Sequence, residues 1–387
     1  MGSTVEHAAT RPRVALAHDW LVGLRGGEFV LDAIARAMSA WCEVGPVYTM
    51  FDSGAALTPT LDALPRVVSR VGRLPGANAL RRHLLPLYPR AVADLSARLA
   101  RDHARTPYDL LISTSSAAIK GLRAPEGVAH LCYCHSPARY VWSQRGAYAG
   151  AGALVRTGLR LAGPRFRAWD RATSAHVTRF LANSTHTARE IARCFGRESE
   201  VVFPPVRTGF YTPPEKDARR GEHALVVAAL EPYKRTEVAI RASALGGRAL
   251  RVVGEGSDAE RVRRVACEVS GRVEFLGRVG DERLRAEYRA ARMLLFPQIE
   301  DFGIIAVEAQ ACGLPVVARR AGGARDSVLD GVTGALYDGE SAEAMAAAMA
   351  RCPRDAGRAC RENAARFGEE SFAAGISAHA GRLCHPA

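Results

Sequence analysis

Short runs of apolar residues alternate along the chain with longer stretches in which apolar residues recur at helical spacing. Residues 13–17 form the first run, and a glycine-bearing turn and a helical pattern over residues 28–38 follow it. Further apolar runs that predict strands lie at residues 109–113, 130–134, 224–230, 250–253, 273–276, 293–296 and 315–318. Helical stretches such as 235–245 and 303–312 separate the later runs. Strands that alternate with helices predict an α/β protein built on parallel, doubly wound sheets.

A proline-rich stretch around Pro204-Pro205 and Pro213-Pro214 interrupts the alternation and suits a hinge between domains. The length of 387 residues is too great for one ordinary core and comfortable for two. We therefore predict a flexible N-terminus over residues 1–12, a first domain over 13–205, a linker over 206–220 and a second domain over 221–368. Ligands of such sheets bind beyond the carboxyl ends of the strands, so both domains are expected to direct their loops at a central cleft.

The overall composition is that of a soluble globular protein, with 48% apolar and 24% charged residues. This excludes a disordered chain, a collagen and a disulfide scaffold. No apolar run reaches the ~20 residues of a membrane-spanning helix, and residues 1–12 lack the apolar core of a signal peptide. We expect a cytoplasmic protein with nine reduced cysteines. Cys132 and Cys134 have no partner pair at metal-ligand spacing, so no metal site is expected.

The net charge of +13 rests on arginine, since only three lysines occur. Residues 66–105 hold nine arginines against Asp94 and Asp102, and residues 156–179 hold six against Asp170. Such a basic first half suits phosphates, anionic lipid head groups or no specific partner. A nucleic-acid binder would explain the charge, but the sequence shows no basic patch interleaved with aromatics, no recognition helix and no zinc module. We expect no nucleic-acid partner.

Two loops carry residues suited to an anionic ligand. Gly26 and Gly27 follow the first strand and open a helix, whose amides can approach an anion, although an ordinary glycine turn explains them equally well. The pattern is not G-x-G-x-x-G, so no nicotinamide cofactor is expected. Lys234 follows the strand at 224–230, and the sequence predicts that it lies in the first turn of the next helix. A cation is unfavourable there, which indicates a nearby anion or a solvated surface lysine.

The most informative segment runs from Phe296 to Glu308. A predicted strand ends at Phe296, a loop carries Glu300, and Glu308 lies about two turns into an apolar helix. Burying a carboxylate there without partners costs several kcal/mol. Because eight residues span about two turns, both carboxylates can face the cleft, where they would accept hydrogen bonds from sugar or ribose hydroxyls. The alternative is a capping acid and an unrelated ion pair.

Glu300 and Glu308 reproduce the E-x7-E pattern of the retaining glycosyltransferases of family 4, with Phe302-Gly303 between them. Further motifs resemble that family, in its order, along nearly the whole chain. They are His18-Asp-Trp20, Gly26-Gly27-Glu28, residues 134–142 (CHSPARYVW), Ala182-Asn-Ser184, Phe203-Pro-Pro205, Pro232-Tyr-Lys-Arg235, Ala321-Gly-Gly323 and Asp330-Gly-Val-Thr-Gly334. The resemblance implies the GT-B fold, which has two Rossmann-like domains and a last helix (residues 369–387) that packs on the first domain. It also implies a reaction that needs no metal and no cofactor.

The resemblance assigns a role to each matching residue. Lys234, with the amides of Gly26 and Gly27, would stabilise the diphosphate of a nucleotide-sugar donor. Glu308 would bind the ribose hydroxyls, and Glu300, with the amides of residues 302–304, would bind hydroxyls of the donor sugar. His135 would contact the transferred sugar near the reacting carbon. The complete set is Lys234, His135 and Glu300 as catalytic residues, Gly26, Gly27, Arg235, Phe302, Gly303, Ile304 and Glu308 as donor-binding residues, and Asp19, Trp20 and Arg139 as acceptor-binding residues.

One position departs from the family pattern. The family usually has an arginine five residues before the lysine, and this chain has Ala229 there. Arg235 or another arginine would then have to meet the charge of the diphosphate. A second hypothesis is therefore a nucleotide-sugar-binding protein with little or no turnover.

The motif variants resemble most closely the mannosyltransferases of O-antigen and exopolysaccharide assembly, which implies GDP-mannose as donor. A UDP-sugar, as in natural-product glycosylation, is the alternative. The acceptor would be a glycan, a glycolipid or another small molecule. Residues 79–90 mix leucines with arginines, as a segment at a membrane interface does, so we hypothesise that residues 66–105 contact an anionic surface on the inner membrane face. The alternative is a solvated basic face above core leucines.

Overall fold

The computed structural model describes residues 11–142, 153–214 and 220–384. Residues 1–10 of the predicted flexible N-terminus and residues 215–219 of the predicted linker lie outside them. The described chain forms two compact units. With the gaps just named, the first contains residues 11–183, 188–202 and 373–384, and the second contains residues 184–187 and 203–372.

The strands of the described chain are Arg13–Leu21 (β1), Glu43–Asp52 (β2), Arg66–Val68 (β3), Leu110–Ser115 (β4), Ala129–Cys134 (β5), Arg179–Ala182 (β6), Ser199–Val201 (β7), Ala224–Val227 (β8), Leu250–Val253 (β9), Val273–Gly277 (β10), Met293–Phe296 (β11), Val316–Arg319 (β12) and Gly334–Tyr337 (β13). The helices are Gly26–Ser39 (α1), Pro59–Asp62 (α2), Ala77–Leu80 (α3), Tyr88–Arg105 (α4), Ala153–Thr173 (α5), Thr185–Phe195 (α6), Thr236–Leu245 (α7), Ala259–Glu268 (α8), Asp281–Ala290 (α9), Ile304–Ala311 (α10), Ala324–Ser327 (α11), Ala342–Arg351 (α12), Gly357–Ala365 (α13) and Glu369–Cys384 (α14).

Each unit is built on one parallel sheet. Within the described residues, the strand order is β3-β2-β1-β4-β5-β6-β7 in the first unit and β10-β9-β8-β11-β12-β13 in the second. The predicted class, an α/β protein with two Rossmann-like, doubly wound domains, is confirmed. In each sheet the direction in which successive strands are added reverses once. The reversal lies between β1 and β4 in the first sheet and between β8 and β11 in the second. Ligands of such sheets bind beside that switch point, so a site is expected at the loops that follow these four strands.

The inner strands are buried on both faces, as parallel strands covered by helices must be, whereas the edge strands β3, β7 and β10 are only partly buried. Residues 14–17 of β1 are fully buried. The pairing of β1 with β2 shifts register between Val14 and Leu16, whose partners are Val44 and Val47. Gly45 and Pro46 of β2 therefore lie opposite the single residue Ala15 of β1, so β2 has one extra residue here. Because proline cannot donate a ladder hydrogen bond, the irregularity accommodates it within the sheet.

Several boundaries differ from the sequence prediction. The predicted strand over residues 224–230 ends at Val227, and the predicted helix over 235–245 begins at Thr236. The predicted strand over residues 13–17 continues to Leu21. Five strands were not predicted, namely β2, β3, β6, β7 and β13.

The last helix buries one face along its length. Phe372, Ile376 and Ala380, at four-residue spacing, are buried, and His379 lies 3.6 Å from Glu200. Residues 373–384 belong to the first compact unit. Residues 385–387 lie outside the described part of the chain.

Candidate active site

The loop after β8 presents Lys234. Residues Pro232–Lys234 form one 3-10 turn, Arg235 adopts a left-handed conformation (φ 56°), and α7 begins only at Thr236. The prediction that Lys234 lies in the first turn of that helix is therefore wrong, because the left-handed residue separates the two elements. Lys234 therefore does not lie against the dipole of α7.

Lys234 instead forms an ion pair with Glu300 across the second unit. Nζ of Lys234 contacts Oε1 of Glu300, and the two side chains are only 13% and 17% exposed. The ammonium also lies 5.2 Å from the centre of the Tyr233 ring. The structure thus brings two of the predicted catalytic residues together in a largely desolvated place, where a charge pair is stronger than at the surface.

Two glycines, Gly322 and Gly323, allow the turn that contains them to lie directly against the loop that carries Glu300. A Cβ atom on Gly322 would lie 2.2 Å from the Glu300 carbonyl oxygen, and one on Gly323 would lie 2.3 Å from the Cα of Phe302. The N–H of Gly323 donates to the Glu300 carbonyl at 2.9 Å. The Ala321-Gly-Gly323 motif therefore has a structural cause, since any side chain at these two positions would displace the Glu300 loop.

The same loop ends at the N-terminus of α10. Gly303 is left-handed (φ 88°), and a Cβ there would lie 2.8 Å from the ring of Phe296. Phe302 is buried against Phe203 and Phe367, with ring centres 5.8 and 5.5 Å away. Ile304 begins the helix. The predicted donor-binding residues 302–304 thus lie where the first amides of a helix are available to a ligand.

Glu308 lies within α10 and has its own partners. Tyr288, from α9, donates its hydroxyl hydrogen to Oε2 of Glu308 at 3.2 Å, and the ring of Tyr211 packs edge-on against that of Tyr288. Burial raises the pKa of Glu308 to about 7, although the Tyr288 hydroxyl and the charge of Arg207 act in the opposite direction. Sequence reasoning missed Tyr288 and Arg207. The one available signal was that Tyr288 is the sole aromatic residue of an otherwise mostly charged helix.

Arg235 points toward Glu340. Its guanidinium contacts the Glu340 carboxylate at 2.7 Å and the Glu340 carbonyl at 3.1 Å, and Arg319 contacts the same carboxylate at 2.8 Å. Ala229 is exposed. The role of Arg235 in donor binding stays a prediction.

In the first unit, Gly26 and Gly27 are the first residues of α1, so the helix begins before the predicted residue 28. A Cβ on Gly27 would lie 3.0 Å from Cε1 of His18 and 3.9 Å from Nε2 of His135. Nδ1 of His18 lies 2.5 Å from the Thr114 hydroxyl. Burial lowers the pKa of His18 to about 4 and that of His135 to about 3, so both imidazoles are neutral at pH 7.

Asp19 is completely buried and binds backbone amides. Its two carboxylate oxygens accept hydrogen bonds from four successive N–H groups of the loop after β4, at 2.6–2.8 Å. This arrangement orders the loop at the switch point of the first sheet. Trp20 and Arg139 are half-buried. The acceptor-binding roles of Asp19, Trp20 and Arg139 stay predictions.

Acidic residues neutralise part of the arginine-rich segment. Arg66 pairs with Asp52 and Asp62, while Arg70 and Arg98 both contact Asp94. Leu74 and Leu80 are each 53% exposed. The segment therefore shows an exposed apolar component beside its charge. No helix among the described residues combines the length and apolarity needed to span a bilayer.

The described part of the chain contains no group of three or more His, Cys, Asp or Glu side chains that could hold a metal ion. Cys132 and Cys134 are buried. The expectation of a reaction without a metal stays a prediction.

Two family models match the chain in succession. The model described as Glycosyltransferase Family 4 matches residues 24–210, and the one described as Glycosyl transferases group 1 matches residues 214–372. The D-inositol 3-phosphate glycosyltransferase of Mycolicibacterium smegmatis is 34% identical over 213 residues, which are 49% of each protein. The enzyme of that name from Acidothermus cellulolyticus is 35% identical over 205 residues, 46% of each. The chain thus covers about half the length of these curated relatives.

Solved structures resemble the chain over nearly its whole length. Sucrose-phosphate synthase from Thermosynechococcus elongatus superposes with a TM-score of 0.73 at 20% identity, covering 96% of this chain and 99% of that one. Anabaena HepE in complex with UDP gives a TM-score of 0.68 at 19% identity, with the same coverage. At such identities the likeness concerns the fold alone.

Proposed function

Because the chain belongs to the GT-B glycosyltransferases that join a Family 4 domain to a group 1 domain, we propose that it moves a sugar from a nucleotide-sugar donor to an acceptor hydroxyl. The proposed reaction retains the anomeric configuration and uses no metal ion. The observation that carries the proposal is the largely buried pair of Lys234 and Glu300 beside the N-terminus of α10, with Glu308 in the same helix. Lys234 suits the diphosphate of the donor, Glu300 suits its sugar, and Glu308 suits its ribose.

The proposed chemistry follows from charge. When the bond between the anomeric carbon and the diphosphate breaks, negative charge develops on the departing oxygen and positive charge on the sugar ring. Lys234 would stabilise the departing diphosphate, and a preorganised cation or amide of this kind contributes typically a few kcal/mol. The acceptor hydroxyl would attack from the face that the diphosphate leaves and give its proton to a diphosphate oxygen. Gly26 and Gly27 would add amides, and His135, as a neutral imidazole, would contact the transferred sugar.

The donor we propose first is GDP-mannose, from the motif variants around His18 and His135. A UDP-sugar is the second candidate, because HepE, which has the same fold, is known with UDP and with UDP-glucose bound. The acceptor is a hydroxyl of a glycan, a glycolipid or another small molecule. The names of the curated relatives favour including a phosphorylated polyol among the acceptors tested.

Thermal stabilisation by nucleotides tests this proposal. A ligand at 100 times its dissociation constant adds about 2.7 kcal/mol to the unfolding free energy, which a melting curve resolves. Selective stabilisation by GDP would support GDP-mannose, and stabilisation by UDP would move the donor to a UDP-sugar.

A matched variant tests the role of Lys234. We expect Lys234→Ala to lower transfer, or slow donor hydrolysis, at least about 100-fold in a protein that still folds. Its melting temperature should fall somewhat, because Glu300 loses its buried partner. Arg241→Ala, which removes a cation from an exposed pair with Glu268, serves as control. Turnover near the wild-type value in Lys234→Ala would refute the assignment.

A protein that binds nucleotide-sugars without turnover is the second candidate, and Ala229 favours it. A single lysine would then face the whole charge of the diphosphate. Stabilisation by a nucleotide together with no transfer to any acceptor and no donor hydrolysis would support this alternative.

We also propose that the protein works in the cytoplasm and contacts the inner membrane face through residues 66–105. The exposed Leu74 and Leu80 among arginines support this proposal.

A further inference from the structure

We propose that Glu300 makes the site distinguish an intact nucleotide-sugar from the bare nucleoside diphosphate, so that the enzyme binds its donor more tightly than its own product. This inference rests on the proposed function. It concerns the unliganded contact between Glu300 and Lys234, which any diphosphate must break.

Glu300 and a diphosphate compete for one cation, Lys234. The Lys234 ammonium and the Glu300 carboxylate are in direct contact, and both side chains are largely buried. A diphosphate that takes Lys234 as its partner therefore separates a pair that is already formed. The separated carboxylate needs new hydrogen-bond donors, because a buried charge without partners is unfavourable.

The other cation of the loop between β8 and α7, Arg235, is paired with a different carboxylate. Ala229 contributes no charge, and Arg235 is held by the side chain and the carbonyl of Glu340. Arg319 shares that same carboxylate. Within the described part of the second unit, these contacts leave Lys234 as the cation of the β8–α7 loop for which Glu300 and a diphosphate compete.

A nucleotide-sugar and a bare nucleoside diphosphate differ in the hydrogen-bond donors that they bring to Glu300. A nucleotide-sugar brings hydroxyl groups that donate to the displaced Glu300 carboxylate, so its binding replaces one set of partners with another. A bare nucleoside diphosphate brings no such donors and places further negative charge near Glu300. After transfer, Glu300 therefore regains Lys234 as the product leaves.

Isothermal titration of the full chain with GDP, UDP, GDP-mannose and UDP-glucose tests the inference. In the wild type we expect the nucleotide-sugar that binds to have a dissociation constant at least about threefold lower than its own nucleoside diphosphate. In Glu300→Gln we expect the diphosphate to bind about tenfold more tightly than to the wild type, since the competing charge is gone. The nucleotide-sugar should gain no such affinity, and its turnover should fall.

Glu231→Gln is the matched control. Glu231 lies three residues before Lys234, and its carboxylate binds the N–H and hydroxyl of Ser257, so this variant removes one negative charge from the same loop without touching the pair. An increase in diphosphate affinity as large in Glu231→Gln as in Glu300→Gln would overturn the inference and indicate a general charge effect.

Further outcomes are decisive. Equal or weaker binding of the diphosphate by a folded Glu300→Gln protein overturns the inference and leaves the proposed function standing. A wild type that binds its diphosphate more tightly than its nucleotide-sugar overturns it without any variant. A wild type that binds none of the four compounds and shows no donor hydrolysis refutes the proposed function itself.

Discussion

Glu308 shows how one residue acquires its chemistry from its surroundings. Burial raises its pKa from the usual 4.5 to about 7, with only the Tyr288 hydroxyl and the charge of Arg207 in opposition. Because the folded-state pKa lies above the unfolded value, the stabilising effect of the bound proton is full below pH 4.5. It is lost as the pH rises through 7. The contribution of Glu308 to the unfolding free energy is therefore about 3 kcal/mol smaller above pH 7 than below pH 4.5.

The same titration predicts a pH dependence of nucleotide binding. If the ionised carboxylate of Glu308 accepts the ribose hydroxyls, affinity for the stabilising nucleotide should rise about tenfold between pH 6 and pH 8, as the carboxylate loses its proton. The measurement is the dissociation constant across that range in the wild type and in Glu308→Gln. The ligand's own phosphate titration is common to both proteins and cancels in the comparison. The idea fails if the two proteins show parallel profiles.

At the scale of elements, close backbone approach shapes the site. The turn at Gly322 and Gly323 touches the loop of Glu300 and Phe302 at distances that exclude a side chain, and Gly303 turns the chain into α10. The position of Glu300 against Lys234 therefore depends on a residue 23 positions later in the sequence.

Gly323→Ala should consequently impair the site without contacting a ligand. Its Cβ would lie 2.3 Å from the Cα of Phe302, so the Glu300 loop must shift. We expect transfer activity to fall at least about tenfold and the unfolding free energy to fall by about 1–3 kcal/mol. Gly209→Ala is the control, because its Cβ meets nothing within 4 Å. Activity like that of this control in Gly323→Ala would show that the loop adapts at no cost.

Sequence reasoning recovered some elements and missed others for identifiable reasons. Strands with uninterrupted apolar runs, such as β9 and β11, were predicted to the residue. β2 was missed because Gly45 and Pro46 near its start suggest a turn, whereas the register shift opposite β1 accommodates them. β3 and β7 have three residues each, and so short a segment carries no periodicity of its own.

For the molecule as a whole, the main feature is its positive charge, which is concentrated in part of the first unit. The net charge is +13, and residues 66–105 contribute nine arginines. In the structure, aspartates pair with several of these arginines, and two leucines of the segment are half exposed.

Vesicle sedimentation tests whether this segment contacts membranes. We expect the protein to sediment with vesicles containing about 30% anionic lipid at low salt and to be released as salt screens the attraction. The double variant Leu74→Ser/Leu80→Ser should reduce the bound fraction about fivefold, whereas Leu245→Ser, which alters an exposed leucine of α7, should not. Equal binding by all three proteins, or none by the wild type, would exclude the proposed surface.

Residue types at short, regular spacing were sufficient to predict the α/β class and the two doubly wound domains, and they also form the motifs that resemble the family. Lys234, Glu300 and Glu308 could be identified in the same way. Their partners, by contrast, are visible only in the folded structure. Lys234 and Glu300 lie 66 residues apart, Tyr288 reaches Glu308 from another helix, and Asp19 binds amides about 100 residues away. Contacts of this kind depend on how strands and loops pack, and no local pattern encodes that packing.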